Sequence, residues 1–223
     1  MRLRELLRRR PRAERPARVE IIQTPESRDE PDGSITSRQD ALVTLPREEL
    51  ERLWTPEYLE RLARTYWRYL SRISLGLLRV VYTESSRAIV LLGRPLVLLR
   101  FHAPEYETTP TRGSVTWRID RGLLVAPSGR GRGWLRITVE RPPDGEGSEV
   151  TVRVSSEVSN FHPMLAASRP GGRGGLLGRL ARWFYAVTQL RIHVVVTHGF
   201  LRSLARLELE PSVVGALSRR DPA

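Results

Sequence analysis

Apolar residues recur at steps of three and four through residues 174–209, a spacing that predicts one long helix. At about 1.5 Å per residue such a helix would run roughly 45 to 50 Å and cross a small domain. Only His198 interrupts the apolar character of the stripe. Its members are Leu176, Leu180, Trp183, Val187, Leu190, Val194, His198, Leu201 and Ala205. We expect the rest of the chain to pack against this stripe.

Two shorter helices are predicted earlier in the chain, over residues 46–54 and 56–72. Thr55 is suited to cap the second of them, and Pro56 fits its first turn. From residue 76 onward the apolar period falls from 3.6 to 2, which is typical of strands. The alternation is clearest in Val115, Trp117 and Ile119, in Leu135, Ile137 and Val139, and in Val150, Val152, Val154, Ser156 and Val158. We therefore predict an α+β fold with about six or seven antiparallel strands.

This order of elements resembles the helix-grip fold of the START and polyketide-cyclase-like superfamily. The resemblance covers roughly residues 56–209 and rests on the order of helices, strand meander and long terminal helix. It implies a curved antiparallel sheet that grips one long C-terminal helix around an apolar cavity. Members of the superfamily usually begin with a strand, and here only residues 17–23 could supply it. They bind lipids, polyketides, steroids or hormones, and some catalyse cyclisation or hydrolysis.

Residues 1–42 alternate a basic block with an acidic block and contain few apolar residues. We predict that this segment is a largely disordered charged arm. The single domain would then occupy residues 43–210, and residues 211–223 would form a flexible tail. No stretch has the roughly 18 apolar residues that a membrane span needs, so we expect a cytoplasmic protein.

The formal net charge is +12, and all 37 basic residues are arginine. A lysine-free composition is what GC-rich coding would produce, so part of the charge is open to a compositional explanation. The charge nevertheless creates a field that attracts polyanions. An arginine-rich protein that binds nucleic acid or an anionic membrane weakly and without sequence preference is the alternative function.

Residues with recognisable chemistry are few. There is no cysteine, and the four histidines form no HExxH pattern, so we predict neither a metal site nor a cofactor. His193 and His198 lie on different sides of the predicted helix. The glycine-rich segments 128–133 and 170–175 do not match a phosphate-binding loop and are interpreted as a turn and a link. We do not predict an enzyme.

The favoured hypothesis is a module that binds an apolar or lipid-like small molecule between the sheet and the C-terminal helix. Such sites are mostly apolar, with a few polar anchors. The predicted lining is Trp117, Leu135, Ile137, Val152, Val194 and His198. A second alternative is a cyclase- or hydrolase-type enzyme that uses the same cavity, and the sequence does not separate it from simple binding.

Overall fold

The computed structural model describes residues 17–22, 26–91, 96–143, 147–164, 196–197, 199–202 and 204–206. Within these residues the chain is α+β, with a large antiparallel sheet and few helices. The elements are β1 (Arg18–Ile21), β2 (Glu26–Asp29), β3 (Ile35–Pro46), α1 (Arg47–Leu53), α2 (Pro56–Ile73), β4 (Leu78–Tyr82), β5 (Ser86–Leu91), β6 (Leu96–His102), β7 (Glu105–Thr108), β8 (Arg112–Arg121), β9 (Trp134–Glu140) and β10 (Glu149–Phe161). Short 3-10 turns occupy Pro127–Gly129 and Leu204–Arg206.

The ten described strands form one sheet in the order β1-β3-β10-β9-β8-β6-β5-β4. Strand β2 also pairs with β3, and β7 also pairs with β8. The two longest strands, β3 and β10, lie side by side near one end of this order. The sheet therefore has a well-paired half around β3 and β10 and a second half made of the β4–β6 meander.

The predicted alternation places one set of side chains on a covered face. Val115, Ile137 and Val154 are almost fully buried there, and Leu45 and Val150 continue the same face. Strand partners point to the same side of a sheet, so neighbouring strands contribute side-chain rows that cross it. Burying this face supplies most of the apolar surface that stabilises the domain.

Helix α2 and a C-terminal helical segment lie over this face. We use that name for the described residues 196–197 and 199–202 and the turn Leu204–Arg206. Tyr66 of α2 meets Phe200 of the segment edge to face, with ring centroids 5.3 Å apart. The Ala17 N–H donates to the Ala205 carbonyl at 3.3 Å, which ties the segment to the start of β1.

The single long helix predicted within residues 174–209 is not confirmed, because most of it lies outside the described residues. Of that stretch, residues 196–197 and 199–202 are helical, and Leu201 and Ala205 of the stripe are buried. The two earlier helices were predicted within about one residue of their ends. The strand count was too low, because ten strands are present in the described residues rather than six or seven.

The prediction of a disordered arm over residues 1–42 is wrong where the structure describes that segment. Strands β1 and β2 and the first half of β3 all lie in it, and each pairs within the sheet. The polar composition concealed them, because β2 and the first half of β3 consist almost entirely of polar residues, and the buried side chains of that half are Gln39 and Asp40. Strand β1 falls at the only position where the resemblance could find its initial strand. Residues 1–16 lie outside the described residues.

Asp40 shows how β3, a strand paired on both sides, can bury a charge. Its side chain is 5% exposed and lies on the face opposite the covered one, where Arg38 Nε donates to Oδ1 at 2.9 Å and Arg153 Nη1 donates to Oδ2 at 3.3 Å. Burial acts to raise the pKa of this carboxyl, but hydrogen bonds from Arg38 and Ser155 and the two arginine charges outweigh it and hold the pKa below its ordinary value. The ionised carboxylate therefore links β3 to β10.

Replacing Asp40 with Asn should lower the free energy of unfolding by about 1 to 3 kcal/mol at neutral pH, because two guanidinium groups lose their charged partner. The folded pKa is depressed, so the contribution of the carboxylate is complete above the ordinary value of 3.8 and is lost as the pH falls through the folded value. The two proteins should become equally stable at low pH. Denaturant unfolding at a series of pH values measures this.

Glu149→Gln provides the control, because Glu149 pairs with Arg18 across an exposed surface where ion pairs contribute little. If the free energies of unfolding of the native protein and Asp40→Asn differed by the same amount at every pH, the assignment of an ionised Asp40 would be contradicted.

Candidate functional site

A row of side chains crosses the covered face from a polar rim to a buried polar pair. Register places Gln39 beside Ser156, Ser156 beside Ile137, Ile137 beside Val115, and Val115 beside Tyr106. The row therefore runs through β3, β10, β9, β8 and β7 in turn. Its apolar centre, formed by Ile137 and Val115, separates the polar residues Gln39 and Ser156 at one end from Tyr106 at the other.

Gln39 and Ser156 form the buried end of the row. Gln39 is 2% exposed and Ser156 is fully buried. Among the described residues, neither the Gln39 amide atoms nor the Ser156 hydroxyl has a hydrogen-bond partner. Most buried polar side-chain atoms in proteins are hydrogen-bonded. Two adjacent exceptions on one sheet face mark this position as a candidate polar anchor, and we name Gln39 and Ser156 the polar pair.

Aromatic side chains pack beside the row on the covered face. Trp117 follows Val115 by two positions on β8, and its register partner on β9 is Leu135. Trp67 of α2 meets the Trp117 ring edge to face at 5.1 Å between centroids. Such contacts add about 0.5 to 1.5 kcal/mol beyond area burial. They hold α2 firmly over this part of the sheet.

The other end of the row opens onto a polar rim. Tyr106 is 43% exposed, and burial together with the charge of Glu60 on α2 raises its pKa to about 12. Burial also raises the pKa of Tyr82 on β4, although the charges of Arg64 and Arg87 oppose the effect. The Arg87 guanidinium lies 5.0 Å from the centre of the Tyr82 ring. Both phenols therefore remain neutral and able to donate hydrogen bonds.

A cleft opens at the junction of α1 and α2. It lies over the row of side chains next to the row that contains the polar pair. The cleft is shallow and open to solvent, and its lining is almost entirely apolar. The lining residues are Trp54, Thr55, Tyr58, Leu59, Thr108, Gly113 and Val139. Burial raises the pKa of Tyr58 to about 12, so its phenol is neutral as well. Gly113 lets Leu59 pack closely against the floor of the cleft, because a Cβ there would lie 3.1 Å from Leu59 Cδ2.

The structure brings three of the predicted site residues together. Trp117, Leu135 and Ile137 are buried neighbours on β8 and β9. Val152 is buried on the same face, farther along β10 and opposite Val43. Val194 and His198 lie outside the described residues. That these residues line a ligand site stays a prediction.

Sequence reasoning missed Gln39 because it assigned the surrounding segment to the arm. Ser156 was on the predicted inward face of its strand, where it follows three valines. A serine that continues an inward valine run was the available signal for a buried polar position. Nothing in the local sequence indicates that Gln39 lies beside it, because that pairing joins residues far apart in the chain.

His162 belongs to a separate cluster at the end of β10, and both ring nitrogens have partners. Nδ1 lies 3.2 Å from the Asn160 carbonyl, and Nε2 lies 3.3 Å from Asp32 Oδ2. Hydrogen bonds from Ser34 lower the pKa of Asp32, and His162 adds a smaller effect in the same direction. The cluster joins the β2–β3 turn to the end of β10. We assign it a structural role.

Comparisons with known proteins leave the family of this chain open. No family model matches the sequence, and no curated protein matches it. Solved structures that share some similarity include CalU16 from Micromonospora echinospora, at 12% identity over 85% of this chain and 98% of that chain, with a TM-score of 0.23. Norcoclaurine synthase from Thalictrum flavum matches at 13% identity over 76% and 97%, with a TM-score of 0.31.

Human STARD10 matches at 8% identity over 81% of this chain and 75% of that chain, with a TM-score of 0.24. TM-scores this low do not establish a shared fold, so neither the fold nor the function of this chain is argued from these proteins. In the described part of the chain, no helix is both long enough and apolar enough to cross a membrane.

Ser156→Ala should leave the free energy of unfolding unchanged or raise it by about 1 kcal/mol, because the change removes a buried hydroxyl that has no partner in the described structure. Ser155→Ala is the matched control. Ser155 lies on the opposite face and hydrogen-bonds with Arg38, so its replacement should destabilise the protein. Thermal and denaturant unfolding compare the two. A clear loss of stability in Ser156→Ala would show that the hydroxyl has an internal partner.

Proposed function

We propose that this protein binds a small apolar molecule that carries one hydrogen-bonding group. The site lies between the covered face of the sheet and the helical elements over it, with the polar pair as its anchor. The observation that carries the proposal is the placement of Gln39 and Ser156 side by side within an otherwise apolar face, buried and without partners among the described residues.

Energetics favour this interpretation over a purely structural one. A buried polar group without a partner costs about 1 to 3 kcal/mol, whereas apolar residues of the same shape would carry no such cost. A ligand hydroxyl or carbonyl would satisfy both residues, because the amide can donate and accept and the hydroxyl can do the same. Ligand binding thus accounts for polar side chains at positions where folding alone favours valine or leucine.

The surrounding residues supply the apolar part of the site. Ile137 lies next to Ser156, and Leu135 and Trp117 continue the surface one row farther along. Val152, Val194 and His198 complete the proposed lining. The neutral phenols of Tyr58, in the cleft, and Tyr106, at the rim, are able to donate hydrogen bonds to a polar group. The described residues of the site contain no nucleophile–base arrangement, and we propose binding rather than catalysis.

Titration of the full chain with an apolar fluorophore should show saturable binding at roughly micromolar strength. Gln39→Met combined with Ser156→Ala should weaken the affinity for a probe that carries a carbonyl or hydroxyl by about tenfold or more, because two hydrogen bonds are lost. The affinity for a hydrocarbon probe of the same size should change little. This difference between probes isolates the polar anchor.

Ser155→Ala again serves as the control and should bind both probes as the native protein does. Native mass spectra would detect any ligand carried through purification. A folded native protein that binds no apolar probe, or a double variant that loses both probes equally, would refute the proposed site.

A further inference from the structure

Five exposed aliphatic side chains lie at one end of the β4–β6 meander, remote from the polar pair. They belong to the α2–β4 turn, the start of β6 and the turn after β8. Their exposed fractions are 90% for Leu75, 56% for Leu77, 37% for Leu96, 37% for Val97 and 51% for Leu123. We call this group the leucine tip. Single exposed leucines are common, but here five exposed aliphatic side chains from three neighbouring chain segments lie at one end of the sheet.

Strand register places these segments at the same end of the sheet. Leu78 pairs with Leu91 across β4 and β5, and Leu91 pairs with Leu96 across β5 and β6. The Leu123 N–H then donates to the Val97 carbonyl at 3.0 Å. Neighbouring strands lie about 4.8 Å apart. The leucine tip therefore follows one continuous border of the sheet.

Leu75 occupies a backbone position that usually belongs to glycine. The Leu75 N–H donates to the Arg72 carbonyl and the Gly76 N–H donates to the Ser71 carbonyl, which together form a Schellman motif at the end of α2. Leu75 has φ +53°, in the left-handed region that disfavours a side chain. Folding alone would favour glycine here. The sequence instead places a large apolar side chain in solvent. This goes against the preference of a left-handed position for glycine and against the preference of leucine for burial.

Leu123 is presented by an equally specific turn. Gly122 has φ +152°, and a Cβ at this position would lie 2.3 Å from the Leu98 carbonyl oxygen. Only glycine allows the chain to approach β6 so closely. The turn after β8 therefore packs tightly against β6 and directs the next residue outward.

Three exposed arginines flank the leucine tip. Arg72 and Arg79 are exposed on either side of the α2–β4 turn, and Arg121 is exposed beside Leu123. Asp120 is the nearby acid, and it lies within 3.7 Å of Arg100 and 3.6 Å of Arg121. The border thus combines an apolar edge with excess positive charge.

We propose that the leucine tip docks on an anionic lipid bilayer. Aliphatic side chains gain free energy by entering the interfacial region, and arginines beside them are attracted to acidic headgroups. A nucleic acid would use the arginines but would leave the leucines in water. A second copy of this chain would bring like charges together. The bilayer is the partner that satisfies both parts of the surface.

Leu75→Gly tests this proposal without endangering the fold. Glycine relieves the left-handed strain, so the variant should be at least as stable as the native protein. Combined with Leu77→Ser, it should lower the partition of the full chain onto vesicles by about tenfold or more, because two apolar side chains are lost. The vesicles contain neutral lipid with about one third phosphatidylglycerol, and co-sedimentation measures binding.

Arg72→Gln with Arg79→Gln should reduce vesicle binding by about tenfold and flatten its salt dependence, since each arginine near a charged surface contributes to attraction. Ile22→Ser and Arg18→Gln are matched controls at the opposite edge of the sheet and should bind vesicles as the native protein does. The tip variants should bind the apolar probes as the native protein does. Failure of the bilayer proposal can therefore be told apart from failure of the ligand-binding proposal.

Three results would overturn the docking proposal. The first is equally weak binding to neutral and to anionic vesicles. The second is binding to duplex DNA that competes with vesicles and survives the leucine changes. The third is a concentration-dependent dimer, seen by sedimentation, that Leu75→Gly with Leu77→Ser abolishes.

Discussion

The pairing of β3 with β10 is the interaction on which the rest of the sheet depends. It joins the two longest strands, and both β1 and β2 are added to the sheet through β3. One face of this ladder holds the buried carboxylate of Asp40 between Arg38 and Arg153, and the other face holds the polar pair. A single ladder therefore carries both the ion pairs that fix its register and the groups proposed to recognise a ligand.

The sequence predicted the elements whose side chains alternate cleanly. Trp117, Ile137 and Val154 lie on the covered face as their spacing indicated, and the helices α1 and α2 begin and end close to their predicted bounds. Periodicity works at these positions because one face of each strand is buried and the other is hydrated. The same reasoning placed Ser156 inward, although it did not show what lies beside it.

The first half of β3 was missed because its buried side chains are polar. Gln39 and Asp40 are both buried, on opposite faces, so residues 35–40 show no apolar alternation, and the alternation of Ala41, Val43 and Leu45 begins only where the predicted arm ends. Its burial depends on partners more than a hundred residues away, Arg153 and Ser156 among them. Such pairings follow from the fold and leave no trace in the local pattern. The candidate polar anchor was missed for the same reason.

The hydrogen bond from Ala17 to Ala205 has a consequence for synthesis on the ribosome. The first described strand is made early, but the segment that covers it is among the last described residues to leave the exit tunnel. Contacts between distant parts of a chain form slowly because a long loop must close. During translation the β1 end of the covered face therefore stays exposed to solvent. Chaperones, or a ligand, can reach it before the domain closes.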